Sequence, residues 1–447
     1  MEETQLIGAI LTGIALLLFL IIRMKLNAFI SLLIAAIWVG LIGGLSGTEI
    51  IGSISKGMGD TLAFVATIVG LGAIFGALLE HSGGAQSLAL FLLKKGGESR
   101  SRLALLITGF IVCIPVFFDV GIIILFPIVK ALAKKSGKNV LHYALPLLTG
   151  LAVTHSFIPP TPGPVAVADI LQVDLGYAIV IGAAIGLPIA LLCGVYLSRL
   201  ITPSELSEFD DVEDIQEDFD PSLVSTIFVV LGIPLALILS GSLFKTLALE
   251  GVIQHATWID VLSFLGHPFI SLIIGTLLAL YYLGTKRGLG KTELFEVTNK
   301  SLAPAGSIIL ITGAGGVLKQ MMINTGIGDM IAAAMQTSSF SVILLAYLVT
   351  SLVRIMQGSA TVAMLTGAGI VAAVIPDMTL SMTDKTLVMM AIAAGSVILS
   401  HVNDSGFWLV NRYLNHTVQQ TLRAWTIQST MISVTSFILI FVVYQLV

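Results

Sequence analysis

The sequence predicts an all-α polytopic membrane protein made of two inverted-topology repeats. Each repeat has about five spans plus one re-entrant hairpin, with broken helices at a substrate site. Three observations predict this. Apolar runs of about 18 or more residues recur along the chain, each enough to cross a ~30 Å hydrocarbon core as a helix. The runs are continuous rather than alternating with period two, which excludes an outer-membrane barrel. Polar residues interrupt long apolar runs at matching places in the two halves, where their cost in lipid points to a functional role. Charged residues make up 11% of the chain and hydrophobic ones 56%, whereas soluble domains carry about 25% charge.

In the first repeat, residues 1–201, spans are expected at 6–22, 29–45 and 62–79. Glu2 and Glu3 precede the first run without a basic n-region, so it reads as a retained helix rather than a signal peptide. A glycine-marked turn at Ser82-Gly83-Gly84 leads to a short amphipathic piece ending in Lys94-Lys95. The run 103–133 is too long for one span and is interrupted by Pro115, Asp119 and Gly121, so it reads as a hairpin. A broken helix at 143–171 follows, divided by a proline cluster, and 177–200 closes the repeat. Residues 202–222 crowd acidic side chains into what reads as a solvated cytoplasmic linker.

The second repeat, 223–447, keeps the order. Spans are expected at 223–243, 261–283 and 302–322, followed by a glycine-marked turn and an amphipathic piece. A second hairpin at 342–375, a second broken helix at 387–414 and a closing span at 427–446 complete it. Arg23 and Lys25 put the first turn inside and so the amino terminus outside, and the first hairpin has both bases inside, because Lys94, Lys95, Arg100 and Arg102 flank one end and Lys130, Lys134, Lys135 and Lys138 the other. The second hairpin then enters from outside.

The interruptions carry the candidate chemistry. Asp119, between apolar flanks, is the first candidate for a coupled proton. Four prolines between Pro159 and Pro164 withhold backbone donors and break the helix beside Thr154, His155, Ser156 and Thr161. Unwound backbone at this depth is tolerated only where it is buried in protein or lines a wet cavity. In the second hairpin Gly358, Ser359 and Thr361 sit where half-helix N-termini would receive an anion. Arg354 reads as a structural tie in preference to a carboxylate clamp. His401, Asn403, Asp404 and Ser405 mirror the first histidine break, with Asp404 either a ligand to hydroxyls, a proton carrier like His155, or an N-cap. Cys113 and Cys193 read as apolar core residues; no metal spacing or phosphate loop occurs, and neither cofactor nor nucleic-acid partner is expected.

These residues resemble the gluconate permease family of the ion transporter superfamily. The resemblance rests on Lys25-Leu26-Asn27, His81 to Gln86, Phe117-Phe118-Asp119-Val120-Gly121, Thr154 to Pro164, Gly358 to Ala363 and Ser400 to Trp408. It implies a proton symporter importing gluconate or a related sugar acid across a bacterial inner membrane, working as a homodimer by an elevator-type motion. Thr161 stands where many members have histidine, and Asp119 where several have glutamate. Asn403-Asp404-Ser405 looks more like the sugar-acid members than the D-serine carriers. The alternatives are a sodium-coupled carboxylate carrier, or a permease for D-serine or another small hydroxy acid.

Overall fold

The structure is a computed structural model that describes residues 3–201, 220–249, 251–254, 256–327, 330, 341–375, 378 and 380–446. Most of the acidic linker and most of the second amphipathic piece lie outside the described residues. Among the described residues the fold is helical throughout, and eight helical segments, the interrupted 141–171 among them, are long and apolar enough to cross a membrane.

Ten spans are expected from the sequence, and the difference has a local cause. The second expected span is α2 (Ala28–Ile42), a helix of 15 residues, below spanning length on its own. The ninth is divided into two shorter helices, described below. A further break splits the span expected at 261–283: α11 (Thr257–Leu265) stops at Gly266, and α12 (Pro268–Ala279) starts on a proline capped by His267. Proline has no N–H to extend the earlier helix, but its fixed φ suits a first helical position.

Two helices are far longer than expected. α3 (Gly47–His81) has 35 residues and starts at a capping box in which Ser46 and Glu49 satisfy each other's backbone N–H. α13 (Lys291–Asn324) has 34 residues. At ~1.5 Å per residue each is about 50 Å long. They pack antiparallel: Ser53 accepts from Asn324 Nδ2 at 2.7 Å, while Lys56 donates to Gln320 at 3.2 Å. A Cβ on Gly57 would lie 2.8 Å from the Val317 Cα, so the two backbones meet without side chains between them.

Around this pair the chain alternates whole and interrupted helices. α5 (Ser101–Val112) and α6 (Phe118–Ser136) form the first interrupted run, α7 (Leu141–Phe157) and α8 (Pro162–Leu171) the second. α9 (Leu175–Ala190) and α10 (Pro221–Leu249) follow. After α13 come α14 (Val342–Gln357) and α15 (Ala360–Ala372), then α16 (Met382–Val397) and α17 (Ser405–Leu414). α18 (Val418–Thr421) leads through a wide turn into α19 (Ile427–Leu446). The long helix, two-armed run, broken helix and closing helix thus occur twice, in the same order.

Candidate functional site

All four interruptions meet at one cavity of about 400 Å³. Phe117, Phe118 and Asp119 line it from the first, His155, Ser156 and Pro162 from the second. Arg354, Ser359 and Thr361 come from the third, and Ser400, Asp404 and Ser405 from the fourth. Pro304, Ser307 and Ile308 of α13 close one side. Four helices, α6, α8, α15 and α17, therefore begin at the cavity wall.

Each break has its own construction. The first is a five-residue turn in which Cys113 Sγ donates to the Val116 carbonyl at 3.1 Å. α6 starts at Phe118 without a side-chain cap, and Asp119 stands exposed in its first turn, where the helix dipole favours a carboxylate. The second break holds a cis Pro159-Pro160 bond, and Pro162 opens α8. The third spans only Gly358 and Ser359: Gly358 has φ +90°, and Ser359 Oγ accepts from the Val362 N–H at 3.3 Å. A side chain at Gly358 would run into the Asn403 carbonyl.

The fourth break is the most heavily bonded. Asp404 Oδ1 accepts from the Gly406 N–H at 2.9 Å, the capping role. Its Oδ2 accepts from Arg354 Nη2 and from Ser400 Oγ, both at 2.5 Å. Trp425 Nε1 donates to Ser400 Oγ at 2.8 Å and the Trp425 ring stacks on Phe118, with 5.6 Å between centroids. Thr426 donates its hydroxyl to the Ser400 carbonyl.

Arg354, read from sequence as a tie, is both a tie and a wall of the cavity. It is 4% exposed, and its Nε and Nη1 have no hydrogen-bond partner. It is the one arginine or lysine among the described residues lining the cavity. Sequence reasoning left it out of the site because the partner that positions it, Asp404, is 50 residues away. Phe118 and Ser400 fall inside quoted motifs but were not singled out as site residues, and nothing in the local sequence of Trp425 marks it.

Of the residues singled out from sequence, the cavity brings together Asp119, His155, Ser156, Ser359, Thr361, Asp404 and Ser405. His155 has a buried Nδ1 without a partner and lies 6.5 Å, ring to ring, from Phe118. The others do not line the cavity. Thr154 donates to the Phe110 carbonyl at 2.9 Å, and Thr161 to the Ile158 carbonyl at 2.6 Å. His401 Nε2 and Asn403 Nδ2 both donate to the Ile355 carbonyl at 2.9 Å, joining the fourth break to the third. Gly358 supplies the turn beneath them. No group of His, Cys, Asp or Glu among the described residues could hold a metal ion.

A family profile described as GntP family permease matches residues 5–447. The chain belongs to the GntP permease family. A gluconate permease of Pseudomonas aeruginosa is 39% identical to this permease over 442 residues, covering 97% of this chain and 96% of that one. The Gnt-II system L-idonate transporter of Escherichia coli is 36% identical, covering 95% of this chain and 96% of its own. Among solved structures, Neisseria gonorrhoeae MtrF, from a class of antimetabolite efflux pumps, shares the fold with a TM-score of 0.66 over 95% of this chain and 96% of that one, at 15% identity. This permease is a multi-pass membrane transporter, not an enzyme.

Proposed function

We propose that this permease imports gluconate or a closely related sugar acid across a bacterial inner membrane, by proton symport. The observation that carries the reading is Arg354: a buried guanidinium, half engaged by Asp404, facing a cavity where four helices begin. A substrate carboxylate would take Arg354 Nη1 while Asp404 keeps Nη2. Backbone N–H groups at the starts of α6 and α15 would add partial positive charge. The hydroxyls of Ser156, Ser359, Thr361 and Ser405 would meet the hydroxyls of a polyhydroxy acid. The named substrates of the two relatives, gluconate and L-idonate, fit this description.

Electrostatics supports a proton as the coupled ion. Arg354 and Asp404 neutralise each other, so an ionised Asp119 would face an arriving anion as a like charge. A proton on Asp119 removes that repulsion, and leaving with the substrate returns the site to its starting charge. His155 and Asp404 are the alternative carriers. Motion would be of elevator type: the four interrupted runs move as a unit against the α3–α13 pair, whose backbone contact at Gly57 suits a rigid scaffold, within a homodimer.

The test is uptake of radiolabelled gluconate into proteoliposomes under an imposed proton gradient, then a sodium gradient, with L-idonate and D-serine as competitors. Accumulation driven by protons and blocked by aldonates is expected. Accumulation that requires sodium would replace the proton, and block by D-serine alone would replace the substrate.

A further inference from the structure

A second cavity, of about 380 Å³, lies far from the substrate site, between α4 (Gly84–Gly96), α5 and α6. Its floor is apolar: Leu90, Leu93, Ile128, Ala131 and Leu132. Its rim is polar and carries Lys94 and Lys135, both exposed, together with Ser101, Ser136 and Tyr143. Glu98 is the one carboxylate on that rim. Tyr143 donates its hydroxyl to Ser136 Oγ at 2.9 Å, which fixes two of the polar groups.

The surrounding charge is strongly one-sided. Residues 94–138 contain eight lysines and arginines against Glu98 and Asp119, in a chain whose net charge is -4. Arg102 belongs to the interior, where it donates to Ser198 Oγ at 2.5 Å and to the Val195 carbonyl at 3.0 Å. Lys95 and Lys130 lie over the rings of Phe91 and Phe126, at 5.8 Å and 6.0 Å from the centroids. Side chains that keep stems on apolar surface and heads in water mark a membrane interface.

We propose that this cavity is a binding site for an anionic phospholipid. An acyl chain would lie on the leucine floor, and the phosphate would sit between Lys94 and Lys135. The charge complementarity and the apolar floor occur together, which neither a free anion nor a neutral lipid would require. The site is independent of which substrate the permease carries.

Native mass spectrometry of the purified full-length protein, titrated with phosphatidylglycerol or with phosphatidylcholine of the same chains, tests it. Both lipids carry a phosphate, but the choline cation cancels its charge in phosphatidylcholine, so two lysines should favour phosphatidylglycerol by roughly 10–30-fold. Lys94→Gln with Lys135→Gln should bring the two lipids close to parity. Glu98→Gln should tighten phosphatidylglycerol binding a few-fold, which tests the site even where the double variant fails to fold. Ala131→Trp should exclude both lipids while leaving the charges in place. Equal binding of the two lipids by the native protein, or a preference untouched by the lysine and glutamate variants, would overturn the proposal. Displacement of phosphatidylglycerol by millimolar inorganic phosphate, without need of an acyl chain, would overturn it in favour of a free anion.

Discussion

The two interrupted runs that lead into the cavity, α5–α6 and α14–α15, hold corresponding places in the element order but are built differently. The arms of the second touch each other: a Cβ on Gly367 of α15 would lie 3.1 Å from the Thr350 Cβ of α14. Its tip is two residues long and is pinned from outside by His401 and Asn403. In the first, each arm leans on α7: Gly109 of α5 approaches the Leu151 backbone N–H, and Gly121 of α6 approaches the Leu151 side chain. Its tip is five residues long and leaves Asp119 exposed to the cavity. A fixed tip with a buried cation suits holding a carboxylate; an open tip with an exposed carboxylate suits exchanging a proton with water. The division of labour proposed for the two tips would then rest on packing as well as on the polar residues.

The sharpest way to break this comparison is Arg354→Gln. It strands a buried, ionised Asp404, which costs about 3–5 kcal/mol, and should lower uptake more than about 100-fold along with thermal stability. Adding Asp404→Asn should restore the melting temperature but not uptake. If the double variant transports, Arg354 is a tie and nothing more. Next comes Asp119→Asn, expected to abolish proton-driven accumulation while counterflow exchange in proteoliposomes stays within a few-fold of native. Equal loss in both assays would move Asp119 from proton transfer to packing.

Smaller effects sharpen the picture further. Gly358→Ala puts a side chain at φ +90° against the Asn403 carbonyl; strain of about 1–3 kcal/mol should loosen the second tip and cut initial uptake rates roughly tenfold. Trp425→Phe keeps the stack on Phe118 but removes a hydrogen bond to Ser400, a loss of about 1 kcal/mol to be read as a modest rise in KM. Smallest of all, Thr161→Val removes a hydroxyl that serves the Ile158 carbonyl and does not line the cavity, and KM for gluconate should change less than about twofold. A large rise would bring Thr161 back into contact with substrate.

The four breaks that meet at the cavity were legible in the sequence because proline, glycine and polar residues inside apolar runs have few physical explanations; the break at Gly266 was not. Asp119, His155, Ser359 and Asp404 were legible for the same reason. What sequence could not supply was which polar side chain faces the cavity and which faces a carbonyl. His401 and Asn403 look like ligands along the chain, yet both donate to Ile355, 46 and 48 residues away. Arg354 looks like a tie, yet two of its nitrogens are left without a partner. Periodicity also could not reveal that α3 and α13 continue well beyond their apolar windows, since their ends are polar and helical order there comes from caps such as Ser46–Glu49.

The pairing of Arg354 with Asp404 has a consequence for how the molecule is made. A ribosome releases the guanidinium 50 residues before the carboxylate that neutralises it. Until α16 and α17 have been synthesised and threaded, the α14 tip carries an uncompensated cation that hydrocarbon rejects. Any chain ending before the fourth break keeps that defect permanently. Closing the pair is thus one of the last steps by which the second half of the chain becomes compatible with the bilayer.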